Sequence, residues 1–442
     1  MIKILQVRNI DSFVESRRQK TSEKDKKTVQ SILNDVRKNG DSAVKKYERK
    51  FNGRKTLQLR VSAKEIKETR SKIRMLEYFA LRRINLLSEQ RLRQYLKDWG
   101  KGGKKFYISG KQTTRSDFEK SSSGATVTRR RRFIAISSVG CYIPGGQAKY
   151  PSSAIMSITP AKLAGVKRIV AASPPGPDGK IDPLTIAAAK LCGATEIYKV
   201  GGAQAIGALA YGTKSIPKVD KIVGPGGKFV SIAKSLVSDQ VAIDMVAGPT
   251  ELGIIADASS DPELVALDLI SQAEHSSDTM CFVITQSKTV AKQIQKSLEK
   301  LIPGTERSSI IKKSISKNGF ITVCKNEKEI IELANKIAPE HIELMVKNAK
   351  TLSKKITGAG LVLIGKNTPS AASDYLLGTN HILPTNGFGR TRGGLSVLDF
   401  LKLQTVVESK KSTLKEFSDS LKALTDAEGL PNHYKAIKRR LD

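Results

Sequence analysis

Apolar positions in the first part of the chain recur at a helical period. Val29, Ile32, Leu33, Val36, Val44 and Tyr47 line one face between Thr28 and Arg49, with an interruption at Asn39-Gly40. The spacing predicts helical structure broken at the glycine. Ser62 followed three residues later by Glu65 is a capping-box pattern that opens another helix. Residues 1–29 are polar with few apolar positions and read as an N-terminal arm or terminal helix. A helical reading continues over 71–98, and residues 100–132, rich in Gly, Ser, Thr and Lys, read as a loop or hairpin region.

From about Arg132 the pattern changes. Short apolar runs alternate with helical stretches: FIAISSVG (133–140), RIVAA (168–172), EIYKVG (196–201) and KIVGPGG (221–227) read as strands. Helices are expected from about Ser152 to Leu163, from Asp182-Pro183 to Leu191, over 203–211, and after the glycine turn to about Val237. LGIIAD, CFVITQ and FITVC repeat the theme between 253 and 325, with helices from about 262 and 289. GLVLIG (360–365), a helix from Pro369, a glycine-rich stretch (387–394) and terminal helices complete the chain. Such alternation means βαβ units and a parallel sheet. Two such halves predict an α/β, doubly wound architecture, with ligands at the carboxyl ends of the strands. No full GxGxxG fingerprint is present. Gly224-Pro225-Gly226-Gly227 after a strand is either a phosphate-facing turn or a plain tight turn.

Composition narrows the class. A chain of 442 residues with 39% hydrophobic content has enough apolar material for two or more folded domains. No apolar stretch is long enough to predict a membrane span, and the start, MIKILQVRNI, does not read as a signal peptide. Cys141, Cys192, Cys281 and Cys324 form no CxxC pair and read as reduced, buried thiols of a cytoplasmic protein. The net charge is +34, of which +23 falls in residues 1–140. Most of that excess is interspersed with acids, as on solvated helix faces. Lys101, Lys104, Lys105 and the run Arg129 to Arg132 are the dense exceptions. No nucleic-acid motif accompanies them, so they read as surface loops and nucleic-acid binding is not expected.

All four histidines lie after residue 270. Asp261 and Pro262 start a helix that places Gln272 and His275 three apart on one face, where they could share a metal or simply end a helix. Glu340 and His341 are adjacent. On a helix they would diverge by about 100° and address two sides of one substrate as proton acceptors; the plainer reading is a helix-start glutamate. Asp374 falls in a short helix before Asn380-His381, and Glu428 and His433 flank a Gly-Leu-Pro break. Two His, one Asp and one Gln would make a plausible first shell for zinc. Cys281, in an apolar run, is a poor nucleophile because burial raises a thiol pKa.

The segments VGCYIPGG (139–146), VGGAQAIGALAYGT (200–213), PKVDKIVGPG (217–226), AIDMVAGPTE (242–251), DLISQAEH (268–275), APEHIEL (338–344), SAASDYLLGTNHILPT (370–385) and AEGLPNH (427–433) together resemble the histidinol dehydrogenase family, in the family's order. The resemblance implies two Rossmann-like doubly wound domains, aldehyde-dehydrogenase-like, with an N-terminal arm and a C-terminal helical tail. It implies a first domain from 30–140 plus 250–385, an NAD-binding second domain over 141–249, and a tail over 386–442 that reaches the partner of a homodimer. It implies two-step, NAD-dependent oxidation of L-histidinol, with Glu340 and His341 as the acid/base pair. Gln272, His275, Asp374 and His433 would hold zinc, and Tyr142, Gln204 and Gly227 would contact NAD. Thr250, His341, His381, Glu428 and the zinc ligands would surround the substrate. The family usually has Asn at the position of Gly227 and Ser at that of Thr250, and residues 71–138 match it poorly. A relative acting on another small alcohol is the alternative.

Overall fold

The computed structural model describes residues 2–18, 21–52, 58–69, 115–120, 126–145 and 149–442. The helical reading of 71–98 and the lysines at 101, 104 and 105 lie outside them.

The chain divides into two compact units. The larger holds the described residues up to 69 together with 137–162 and 166–399, and is built on two parallel sheets. One has six strands, in spatial order Lys3–Leu5, Phe320–Val323, Met280–Thr285, Glu251–Ala256, His341–Met345 and Leu361–Ile364. The other has five: Glu196–Lys199, Arg168–Ser173, Ser138–Tyr142, Lys221–Val223 and Ala242–Ile243. The α/β, doubly wound reading is met in both. Each sheet reverses its direction of growth once, between Glu251–Ala256 and His341–Met345 in the first and between Ser138–Tyr142 and Lys221–Val223 in the second.

The core follows the apolar pattern. Val29, Ile32, Leu33, Val36, Val44 and Tyr47, on the helical segment Glu23–Asn52, are buried against Val170, Val200, Ile206 and Leu209 of the five-stranded sheet and its helices. Gly40 breaks that segment, with φ +51°, a conformation open to glycine and strained for other residues. So residues 30–52 pack on the five-stranded sheet. Residues 1–29 are more than an arm: Lys3–Leu5 pairs as an edge strand with Phe320–Val323, and Phe13 packs edge-to-face on Phe320 at 5.1 Å. Apolar side chains fill both faces of the six-stranded sheet.

FIAISSVG is not one strand. Its first half ends the strand Thr126–Ala135 and its second half begins Ser138–Tyr142, in different sheets. The polar pair Ser137-Ser138 marks the switch, and Ser138 binds the Asp220 carboxylate through both its N–H and its hydroxyl.

The smaller unit includes the described residues from 115 to 136 and Phe400–Asp442. It contains an antiparallel sheet in the order Leu401–Ser409, Thr126–Ala135, Arg115–Lys120, and the helices Lys411–Glu416, Ser418–Ala427 and Pro431–Lys438. Arg115–Lys120 and Thr126–Ala135 form the anticipated hairpin. The run Arg129 to Arg132 is thus a central strand, not a surface loop, and Arg132 Nε donates to Gln404 Oε1 at 2.6 Å. Among the described residues no helix is long and apolar enough to cross a membrane.

Candidate active site

The reversal point of the six-stranded sheet delivers the acid–base groups. His341 opens its strand in register with Leu252, so Glu340, Glu251 and His341 meet at the amino ends of two neighbouring parallel strands. This corrects the expectation that all ligand-facing groups lie at carboxyl ends. The helical reading of APEHIEL is also corrected, because His341–Met345 is a buried strand. Glu340 and His341 do not diverge: His341 Nδ1 lies 3.8 Å from Glu340 Oε2.

Glu340 is buried, and its Oε2 accepts from the Thr250 hydroxyl and, at 3.0 Å, from the Glu251 N–H. Burial raises its carboxyl above the usual range, against the pull of His341. His341 is 1% exposed, with Nδ1 3.3 Å from the Glu251 carbonyl oxygen. Its Nε2 stands 3.4 Å from Asp374 Oδ1 without hydrogen-bond alignment, and neither atom has a hydrogen-bond partner. Burial alone would lower the imidazole, but the charge of Glu340 and the approach of Asp374 outweigh it and lift it to about 9. An imidazole ordinarily titrates near neutrality, and the two carboxylates are the reason that this one does not.

The helix Pro262–Ala273 carries the next group. Asp261 caps it by accepting from the Glu263 and Leu264 N–H groups. Gln272 Nε2 donates to Thr250 Oγ1 at 2.6 Å, and Gln272 Oε1 lies 3.5 Å from the Ser370 hydroxyl. His275 Nδ1 sits 3.1 Å from the Gln272 carbonyl oxygen, which leaves Nε2 for the pocket that His275 lines. Asp374 ends the short helix Ser370–Ser373, and burial, which would raise its carboxyl, is outweighed by His341, so that it lies below its ordinary value. His381 is tied from both nitrogens, Nδ1 at 3.1 Å from the Asp374 carbonyl oxygen and Nε2 at 3.2 Å from Ser153 Oγ.

These side chains face a pocket of about 280 Å³. Thr250, His275, Glu340, His341, Asp374 and His381 form one wall, and Gly224–Gly227, at a carboxyl end of the five-stranded sheet, contribute to the other. Gly224 has φ +111°, and a Cβ there would stand 2.1 Å from the Tyr142 carbonyl oxygen, so the turn requires glycine. Nothing lies within 4 Å of the Cβ position at Gly227. Tyr142 and Gln204 form a buried cluster instead of lining this pocket. The Tyr142 hydroxyl accepts from the Gly202 N–H at 3.1 Å, and Gln204 Nε2 donates to Glu48 Oε1 at 2.8 Å. Burial pushes the Tyr142 phenol up to about 12, and Gln204 Oε1 is buried with no partner. Glu428 and His433 belong to the smaller unit, where both are exposed.

Two carboxylates that sequence reasoning passed over belong here. Glu251 is buried and accepts from the Glu340 N–H at 3.2 Å and the Asn386 N–H at 2.9 Å; burial lifts it to about 7. Glu343 accepts from the Ser370 N–H at 2.6 Å, and burial with the charge of Asp268 raises it to about 8. Their signal was visible, since each is an acid inside an apolar strand, ELGIIA or HIELM. Cys281 is fully buried and its thiol is pushed well up by desolvation.

Among the described residues, no group of three or more His, Cys, Asp or Glu side chains is arranged as a metal site. The set that includes the amide Gln272 does fit a metal in chemistry. His275 has one nitrogen at a backbone carbonyl, the usual orientation of a ligating imidazole, and Asp374 Oδ1 is buried without a partner.

The histidinol dehydrogenase family profile matches residues 15–441. A histidinol dehydrogenase of Methanocaldococcus jannaschii is 42% identical over 94% of this chain and 92% of its own. One of Oceanobacillus iheyensis is 48% identical over 68% of this chain and 71% of its own. The crystal structure of histidinol dehydrogenase from Elizabethkingia anophelis superposes with a TM-score of 0.85 at 31% identity, covering 100% of this chain and 98% of that one. The chain belongs to the histidinol dehydrogenase family.

Proposed function

We propose that the chain oxidises L-histidinol to L-histidine in two steps through the aldehyde, with NAD as oxidant and a zinc ion as substrate anchor. The observation that carries this reading is the buried pair Glu340 and His341 in the pocket wall, held by Thr250 and facing a glycine turn from the other sheet.

Gln272, His275 and Asp374 would hold the zinc, with His433 as a fourth ligand. When bound, zinc supplies a Lewis-acid anchor for the substrate imidazole and amine, and NAD supplies the hydride acceptor. His341 accepts the hydroxyl proton as the alcohol is oxidised. Glu340 accepts a proton from the water that hydrates the aldehyde, and the Thr250 hydroxyl holds that carboxylate in place. Asp374 is one of the two carboxylates that hold the His341 imidazole up, and a cation held by Asp374 would offset that charge. His381, tied to Ser153, and Glu428 complete the substrate contacts, and Gly227 serves the cofactor side, while Tyr142 and Gln204 stay in their buried cluster away from the pocket.

The test is NADH formation from histidinol. His341→Ala should lower turnover by about 10²–10⁴-fold. Exhaustive chelation should abolish the remaining wild-type activity, and added zinc should restore it. Full turnover after metal removal would overturn the zinc assignment. Activity on other alcohols with none on histidinol would reassign the substrate.

A further inference from the structure

We propose that Lys234 and Asp244 are positioning residues, a buried clamp that fixes the Gly224–Gly227 turn against the segment leading to Thr250. The proposal rests on the functional reading above, in which that turn faces the cofactor.

Lys234 is 2% exposed and forms an ion pair with the buried Asp244 carboxylate. Both groups seize the same residue. Lys234 Nζ donates to the Gly224 carbonyl oxygen at 2.8 Å, and the Gly224 N–H donates to Asp244 Oδ2 at 2.8 Å. A cation on the carbonyl and an anion on the N–H fix the position and the orientation of that residue together. The Asp244 carboxylate is itself oriented by its own chain, since its Oδ1 accepts from the Met245 N–H at 2.6 Å. Met245, Ala247 and Gly248 then line the pocket on the way to Thr250, which holds Glu340. Arg392 donates to the Asp244 carbonyl oxygen and anchors the clamp from behind.

Stability does not explain this arrangement. A buried ion pair gains little over a well-packed apolar pair, because desolvation offsets the attraction. What an apolar pair cannot do is hold a peptide N–H and its carbonyl at once. The turn itself cannot gain a side-chain anchor, because Gly224 admits no Cβ. The clamp therefore fixes the glycine turn to residue 244, at the start of the 245–250 segment that leads to Thr250.

The experiment compares wild type with Lys234→Met and with the double variant K234M/D244N, which leaves no unpaired buried charge if the single variant does not fold. The expected result is a KM for NAD raised about tenfold or more, with the KM for histidinol within about twofold. Backbone hydrogen exchange should accelerate locally at residues 224–228 and not across the molecule. An unchanged KM for NAD in a folded variant, or both KM values rising together, would overturn the clamp. If the wild type forms no NADH from histidinol, the functional reading fails by itself. Exchange at 224–228 still decides the clamp, and an unchanged rate there would refute it.

Discussion

Glu251 shows how much one buried carboxylate shapes this site. Two backbone N–H groups favour its charged form, yet burial wins and its pKa rises to about 7. A carboxyl raised in the folded state stabilises the fold fully below its unfolded pKa, and that contribution is lost as pH rises through the folded value. Wild-type stability should therefore fall by up to about 3 kcal/mol between pH ~4.5 and ~7 on account of this group. Denaturant midpoints of wild type and Glu251→Gln across that window measure it; parallel curves would show that Glu251 titrates normally. Gly227 offers the opposite experiment. It caps the helix Lys228–Leu236 without a side chain, and its Cβ position is open. Gly227→Asn should strengthen the cap by a few tenths of a kcal/mol. If the position faces NAD, one added hydrogen bond of about 1 kcal/mol lowers the KM for NAD about fivefold. A KM that does not move would place Gly227 away from the cofactor.

At the level of elements, the six-stranded sheet is tight where the acid–base strand begins. A Cβ on Gly253 would meet the Phe282 ring at 2.4 Å, and Phe282 is stacked on Phe320 at 5.0 Å. Gly253→Ala should destabilise by about 1–3 kcal/mol, seen as a lower denaturant midpoint at an unchanged slope. A stable variant would mean that the ring stack yields. The helices and strands were legible wherever one face repeats, as with Val29 to Tyr47 on the five-stranded sheet or Asp261-Pro262 at a helix start. Junctions were not. FIAISSVG reads as one apolar run, and two serines inside it are too slight a break to announce the passage from one sheet to another. APEHIEL is short, and its Glu and His mimic a helix start while Ile342 and Leu344 pack as a strand.

For the whole molecule, sequence segments scattered from 250 to 381 converge because two parallel strands and two helix ends share one rim. That convergence needs the sheet order, which local pattern does not contain. Glu428 and His433 sit in the smaller unit, and the family resemblance implies a homodimer in which the tail of one copy would serve the site of the other. Mixing His341→Ala with His433→Ala protein under conditions of subunit exchange tests this. If His433 acts in trans, each mixed dimer regains one intact site and activity returns. If it acts in cis, the mixture stays as inactive as its parents.

The two sheets present opposite polarity to the pocket, one its strand beginnings and the other its strand ends. In the proposed function, the alcohol and the oxidant would therefore be met by separate stretches of chain, the residues from 250 to 381 on one side and the glycine turn at 224–227 on the other. On that proposal, changes between 370 and 385 would alter what is oxidised without rewriting what accepts the electrons. A family built this way can drift in substrate while its redox half stays constant, and a designer can address the two halves in turn.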